Sequence, residues 1–420
     1  MTETGPHICV HGLGYVGLPT AAVLANSGYE VYGFDADPAY RSDLMEESLD
    51  IEEPDLDRFV TRALEDGLSI VSQPREAEFH IICVPTPYDR DADRTNLAYV
   101  EKAGEAVAEQ LRKDDTVILS STVPPGTTAG RLRDVIERSG LSVSEDVTLG
   151  YSPETVLPGN TLTELRENDR IVGTVGGQPT DRLVALYKSF VSGDIRTADA
   201  TTAEFVKLIQ NAYRDTNIAF ANETAKLAHE FDIDSREAIA MANKHPRVEI
   251  LRPGPGVGGH CIPIDPLFLN HGNNIPMVIE TARRVNDGMP EFVIELLSAA
   301  LGDLERTRVA LLGVAYKGGV SDVRETPSFV IAEKLLENGV EELRLTDPYV
   351  ADDDIEYELT SLEESLEGAD VAVLVTDHPE YGALSPEMFA DRMQGVVIVD
   401  TRAMLDQDRW ETHGFDVYQL

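Results

Sequence analysis

This chain has little cysteine, and few basic residues against its acids. Its three cysteines, Cys9, Cys83 and Cys261, are odd in number and far apart, which excludes a disulfide framework. The paired spacing of a zinc site is missing too, so no metal is expected. Such sparse cysteine fits a reducing cytoplasm. Lys and Arg total 35 against 75 Asp and Glu, a formal net charge of −40. That balance argues against nucleic acid or an anionic membrane surface as a partner. No apolar run approaches the length needed to span a bilayer. The opening MTETGPHICVHGLG enters a strand without a basic n-region or an apolar h-region, so no leader is expected.

What is present reads as a folded protein. At 420 residues the chain is too long for one core and predicts two or three domains. Acids occur along its whole length, interleaved with regular apolar segments, which points to an acidic surface rather than a disordered acidic tail. Salt screens the self-repulsion of such a surface, so a halophilic source is expected.

The first motif is HICVHGLGYVGLPTAAVLANSGYEVYGFD. A strand from His7 runs into Gly12-Leu13-Gly14-Tyr15-Val16-Gly17, a helix follows, and a second strand, Glu30 to Phe34, stops at Asp35. This is the full context of the dinucleotide fingerprint, with an acid about 20 residues on. The glycines permit a tight turn and let a pyrophosphate reach the helix N-terminus. Asp35 would take the ribose hydroxyls and repel a 2′-phosphate, which favours NAD over NADP.

Three more buried strands follow, ending in Pro85-Thr86-Pro87, in Ser121-Thr122-Val123-Pro124 and near Ser152-Pro153-Glu154. In a doubly wound sheet ligands sit beyond the carboxyl ends of the strands. Thr86, Thr122 and Glu154 therefore share an edge with the glycine turn. Next comes a long helical pattern without internal Gly or Pro, on which Lys207, Asn211 and Arg214 recur at i, i+4 and i+7 and so project from one face. In a chain this poor in bases, such a stripe points to an anionic ligand. The loop GPGVGGHCIPIDP, Gly254 to Pro266, places Cys261 on glycine-rich backbone that can approach a ligand closely. After about Arg306 a second strand-and-helix alternation begins. Its glycine pattern GVAYKGG is degenerate and is not read as an NAD site, but Lys317, Arg324 and Arg402 lie at or near its loops, where they suit a phosphate-bearing ligand.

Taken in order, GLGYVG, VPTP, SSTVPPGT, SPETVLPGN, EFVKLIQNAYRDTNIAFANE, HPRVEILRPGPGVGGHCIPIDP, GVAYKGGVSDVRETPS and DTRA resemble the nucleotide-sugar 6-dehydrogenases, the UDP-glucose and UDP-N-acetylmannosamine dehydrogenase family. The likeness covers essentially the whole chain. Within the family, HPRV, PGPGVGGHC and the LPGN segment resemble the N-acetylmannosamine branch, whereas Thr155 stands where that branch typically has arginine.

The resemblance implies an α/β fold of two Rossmann-like doubly wound domains joined by a long central helical segment. Residues 1–195 would bind NAD, 196–300 would form a helical, dimerising domain with the cysteine loop, and 301–420 would bind the UDP-sugar, with the active site in the cleft. It implies a double oxidation of the sugar C6 alcohol by NAD in a homodimer or higher assembly. A thiol adds to the aldehyde as a thiohemiacetal, and oxidation leaves a thioester that water cleaves. By resemblance Cys261 is that thiol, Lys207 and Asn211 stabilise oxyanions, and Asp265 assists. Glu154, with Thr122 and a water, is the other candidate base, and the assignment between the two acids stays open. Tyr15, Val16, Asp35, Arg41, Thr86, Thr122 and Arg324 would hold NAD, with Gly12, Gly14 and Gly17. Glu154, Thr155, Val156, Lys207, Asn211, Arg214, His245, Arg247, Gly256, Tyr316, Lys317 and Arg402 would hold the UDP-sugar. His245 reads equally as a helix-end histidine and Arg41 as a solvated helix charge. Rival readings are the same chemistry on UDP-glucose or UDP-N-acetylglucosamine, a single-hydride hydroxyacid-type dehydrogenase, and a non-catalytic nucleotide-sugar sensor.

Overall fold

Strands that are apolar on both faces need cover on both, and this chain supplies it twice. The computed structural model describes residues 6–46, 53–90, 92–156, 159–270, 277–351 and 355–420. Leu157 and Pro158 of the LPGN stretch lie outside them. The chain packs as two units, Met1–Gln210 with Leu267–Gly272, and Asn211–Pro266 with Asn273–Leu420.

The first unit contains strands β1 (His7–His11), β2 (Glu30–Phe34), β3 (Leu68–Val71), β4 (Phe79–Ile82), β5 (Tyr88–Asp89), β6 (Arg94–Thr95), β7 (Thr116–Leu119), β8 (Thr148–Tyr151), β9 (Arg170–Thr174) and β10 (Ile195–Asp199). Eight of them form one sheet in the order β10-β9-β8-β7-β4-β1-β2-β3, while β5 and β6 make a short hairpin. From β3 across to β8 neighbours pair in parallel, and β9 then pairs antiparallel to β8. Side chains alternate across each strand. Ile8, Val10, Ile81 and Ile118 feed one core, and Ile82, Val117 and Leu119 feed the core on the opposite face. The chain order reverses between β1 and β4, the switch point where such sheets bind ligands. The ends of β1, β4, β7 and β8 accordingly lie on one edge, as expected for Thr86, Thr122 and Glu154.

One patch of this interior is polar. Cys9 and His80 are register partners on β1 and β4, and His11 follows two residues along. All three are buried, with His11 Nε2 3.3 Å from His80 Nδ1. Burial depresses both imidazoles, His11 to about 3 and His80 to about 4, and pushes the Cys9 thiol up to about 11. All three therefore sit neutral at ordinary pH.

The second unit holds β11 (Arg308–Leu312), β12 (Glu342–Thr346), β13 (Val371–Leu374), β14 (Val397–Asp400) and β15 (Asp416–Gln419). They form an all-parallel sheet in the order β12-β11-β13-β14-β15. Val309, Leu311, Val371 and Val373 face one core, and Ala310, Leu312, Ala372 and Leu374 face the other. The long central pattern folds as one 31-residue helix, Ala200–Glu230. Among the described residues no helix is long and apolar enough to cross a membrane.

Candidate active site

The glycine turn after β1 is shaped for backbone and a ligand, with no room for side chains beneath it. Gly12 has φ +89°, and a Cβ there would lie 2.5 Å from the Cys83 carbonyl oxygen. A Cβ on Gly17 would lie 1.8 Å from the Gly12 carbonyl oxygen, whereas one on Gly14 would meet nothing within 4 Å. The turn is thus packed below and open above. Helix Gly17–Asn26, with Val16 at its N-cap, carries no side-chain cap and no first-turn acid, which leaves its positive end to an anion. These features fit the pyrophosphate of a dinucleotide. Asp35 braces the turn, accepting the Leu13 N–H at 2.8 Å and the Asp37 N–H at 3.0 Å. Arg41 donates to the Asp35 carbonyl and lies 5.8 Å from the Phe34 ring centre, so it folds back on the strand end rather than pointing into solvent. The Tyr15 hydroxyl is 2.9 Å from Thr161 Oγ1.

The loops after β4 and β7 are tied together. Thr86 Oγ1 donates to the Thr122 carbonyl at 2.6 Å, and Ser121 Oγ bonds both the N–H and the carbonyl of Val84 at 2.9 and 2.7 Å. Buried Glu204, on the first turns of the long helix, accepts from the N–H groups of Gly126 and Thr128. It so fixes the turn just beyond Thr122, one helical turn before Lys207, which is itself buried. After β8, Glu154 Oε1 accepts the Thr155 N–H at 2.8 Å and Oε2 meets Arg170 Nη2 at 2.8 Å. Val156 is buried and packs in the core beneath. Cys83, partly covered, has its thiol pushed up to about 12 by burial and then by Glu154.

In the second unit Cys261 is exposed. Its carbonyl accepts N–H groups from Ile264 at 3.2 Å and Asp265 at 2.8 Å, a tight turn that carries thiol and carboxylate together. Buried Asp265 accepts from Asn211 Nδ2 at 2.6 Å. The loop is anchored at its start as well. Asn222 Oδ1 takes the Gly254 N–H at 2.8 Å and its amide donates to Asn286 at 2.9 Å. Asn286 in turn donates to Asp215, whose carboxyl burial pushes up to about 6 despite Arg283 beside it. Along the expected stripe the helix grades from buried Lys207 through half-buried Asn211 to exposed Arg214.

The loop's glycines are dictated by close neighbours. A Cβ on Gly254 would lie 2.8 Å from Arg402 Nη1, and one on Gly259 would lie 2.9 Å from the Tyr316 ring. Gly256 has φ +136° and sits against Pro327. Arg402, at the end of β14, donates from Nε to the Val375 carbonyl at 2.8 Å. Arg324 is gripped by Asp322, with Nη2 2.6 Å from Oδ2, and its carbonyl accepts the Gly259 N–H at 2.8 Å. Lys317, His245 and Arg247 are exposed, the last two beyond the end of helix Ser235–Ala242. The degenerate glycine pattern has its own brace. Asp347, at the end of β12, accepts from the N–H groups of Val314 and Ala315 and from His378 Nε2 at 2.9 Å. The Gly319 N–H donates to His378 Nδ1, which fixes the tautomer. With His378 on it, Asp347 is not the open ribose acceptor that Asp35 resembles.

Three family models match the chain in order. They are the NAD binding domain (residues 6–191), the central domain (201–288) and the UDP binding domain (310–407) of the UDP-glucose/GDP-mannose dehydrogenase family. The UDP-N-acetyl-D-mannosamine dehydrogenase of Methanocaldococcus jannaschii is 43% identical, over 99% of this chain and 96% of its own. This chain belongs to the UDP-glucose/GDP-mannose dehydrogenase family. It is an NAD-dependent nucleotide-sugar dehydrogenase. The solved UDP-D-ManNAc dehydrogenase of Pyrococcus horikoshii is 39% identical with a TM-score of 0.91, covering 98% of each chain. An NDP-N-acetyl-D-galactosaminuronic acid dehydrogenase of Ralstonia nicotianae is 38% identical over 96% of this chain and 97% of its own.

Sequence reasoning passed over Arg170 and Glu204. The available signal was a charged residue inside an otherwise apolar segment, in DRIVGT and in ATTAEFVKL. Neither sequence neighbourhood names its partner, because the partner arrives through the fold.

Proposed function

We propose that the chain oxidises the C6 alcohol of UDP-N-acetyl-D-mannosamine to the uronate, with two NAD per sugar, using Cys261 as a covalent nucleophile. The observation that carries this reading is the pairing of Cys261 and Asp265 on one glycine-built loop, with Asn211 of the long helix donating to Asp265 at 2.6 Å. A single-hydride alcohol dehydrogenase has no use for such a thiol, and a sensor has no use for the carboxylate and carboxamide beside it. The full-length likeness to N-acetylmannosamine enzymes supports the choice of sugar.

When bound, NAD supplies the hydride acceptor for both oxidations. The Cys261 sulfur adds to the aldehyde carbon, and Lys207 and Asn211 stabilise the oxyanion of the adduct. The second oxidation leaves a thioester on the same sulfur. Water cleaves it, its proton going to a carboxylate and the thiol being restored. Asp265, tied to the Cys261 turn and pinned by Asn211, serves the thiol, while Glu154 with Thr122 serves the alcohol or the water. Gly12, Gly14 and Gly17, with Tyr15, Val16, Asp35, Arg41, Thr86, Thr122 and Arg324, hold the dinucleotide. Thr155, Val156, Arg214, His245, Arg247, Gly256, Tyr316, Lys317 and Arg402 receive the UDP-sugar.

The same reading makes the protein a cytoplasmic homodimer adapted to high salt. Phe205, Ile209, Tyr213, Phe220 and Leu227 are exposed on the long helix at spacings that bring them onto one stripe, a surface suited to a second copy. The test of function is turnover of UDP-N-acetylmannosamine, UDP-glucose and UDP-N-acetylglucosamine in parallel, with NADH counted per sugar consumed. Two NADH per UDP-N-acetylmannosamine is the expected result. Turnover of UDP-glucose alone overturns the substrate assignment, and one NADH per sugar overturns the double oxidation.

A further inference from the structure

Arg170 is a strange occupant for the first residue of a sheet strand. It is 7% exposed, and a buried guanidinium is costly unless it is paired and hydrogen-bonded. Its pairing is specific. Nη2 lies 2.8 Å from Glu154 Oε2, with both side chains under a tenth exposed. Its Cζ lies 4.8 Å from the Tyr187 ring centre and 5.8 Å from that of Phe190. Two aromatic walls thus confine the guanidinium. Glu154 is held at its other oxygen by the Thr155 N–H at 2.8 Å.

We propose that Arg170 is a positioning residue for the Glu154 carboxylate. The carboxylate is clamped from both oxygens, so its plane and its remaining lone pairs keep one direction at the C-terminal edge of the sheet, beside the Thr86–Thr122 linkage. A loop glutamate without this clamp would turn through several rotamers, and a reacting proton would meet it in the right orientation only part of the time. The strand order explains how the clamp is built. β9 runs antiparallel to β8, so the start of one strand delivers Arg170 to the loop where the other ends. The inference rests on the functional reading above, in which Glu154 handles a proton.

The experiment is a double-mutant cycle with Glu154→Gln, Arg170→Met and the double variant, plus Arg170→Lys and a Cys261→Ser control. For each, kcat and KM for the UDP-sugar and for NAD are measured alongside the thermal midpoint. Arg170→Met is expected to lower kcat about 10²-fold while moving either KM less than about threefold, and Arg170→Lys should recover part of the loss. In the Glu154→Gln background the Arg170 change should cost little further kcat, since the group it positions is already disabled. Where Arg170→Met alone fails to fold, through a buried and uncompensated Glu154, the double variant removes both charges and Arg170→Lys keeps both, so these two remain measurable. Additive losses in the cycle overturn the proposal. So does a wild-type rate for Glu154→Gln, or a kcat loss in Arg170→Lys fully explained by unfolded protein. The Cys261→Ser arm reports on the thioester chemistry separately: full acid formation there sinks that reading without touching the Arg170–Glu154 coupling.

Discussion

Asn211 and Asp265 are 54 residues apart in sequence and 2.6 Å apart in space, Nδ2 to Oδ2. The carboxamide donates and the buried carboxylate accepts, so a rigid helix sets the position of an acid carried on a loop. That loop also carries Cys261, through the Asp265 N–H to Cys261 carbonyl bond at 2.8 Å.

Breaking this contact should therefore damage chemistry more than binding. Asp265→Asn is expected to lower kcat for acid formation by about 10²–10⁴-fold, the range for losing a proton-transfer group. Asn211→Ala should cost about 10²-fold and, by leaving Asp265 short of a donor, about 1–3 kcal/mol of stability. Steady-state kinetics with thermal unfolding of both variants checks this. A change confined to KM would contradict it.

The three thiols should separate cleanly by reactivity. Alkylation of the native protein by iodoacetamide, read by peptide mass spectrometry, should label Cys261 and spare Cys9 and Cys83, whose thiols burial holds near 11 and 12. UDP-sugar should protect Cys261. Cys261→Ser should abolish uronate formation by at least about 10³-fold, since a hydroxyl at ordinary pKa is a far weaker nucleophile.

Acid should weaken the first unit through its histidine pair. Folding depresses His11 and His80 from 6.5 to about 3 and 4, so the unfolded chain binds the extra protons. Stability is then full above about pH 6.5 and falls as pH drops toward 4, by up to about 1.4 kcal/mol per pH unit for each imidazole. His80 also faces Arg112, which opposes its charging, and Glu78, which favours it, while His11 is opposed by His80. The paired replacement His11→Ile with His80→Val should flatten the melting temperature between pH 7 and pH 5. An unchanged slope would mean the pair carries no such cost.

Salt should act in the other direction. With a net charge of −40, self-repulsion is strong where the screening length is about 30 Å and weak where it is about 3 Å. Melting temperature should rise steeply between about 0.01 M and about 1 M potassium chloride. A flat profile would remove the case for salt adaptation.

How much of this was legible in the residues depends on how local each signal is. The glycine turn, its helix and Asp35 form one contiguous motif, and the structure keeps every part of it, because a backbone that must pass within contact of Cys83 leaves only glycine possible. The Lys207–Asn211–Arg214 stripe was equally readable, since helical periodicity alone aligns it. Its gradient of burial was not, because that depends on what packs against each turn. Arg41 shows the same limit: its helix was evident, but its fold-back onto Phe34 and the Asp35 carbonyl was not.

What the amino-acid order by itself determined is the set of elements and the chemistry they carry: two strand-and-helix alternations, a dinucleotide turn, and one cysteine on a glycine-rich loop. These follow from short-range sterics and periodicity, which need no knowledge of distant residues. Only the tertiary structure decided which charges meet. Strand order brings Arg170 to Glu154 and His80 to His11, and the long helix delivers Asn211 to Asp265 and Glu204 to the turn beyond Thr122. Such pairings depend on sheet topology and packing, through which residues far apart in the chain come within a hydrogen bond of each other.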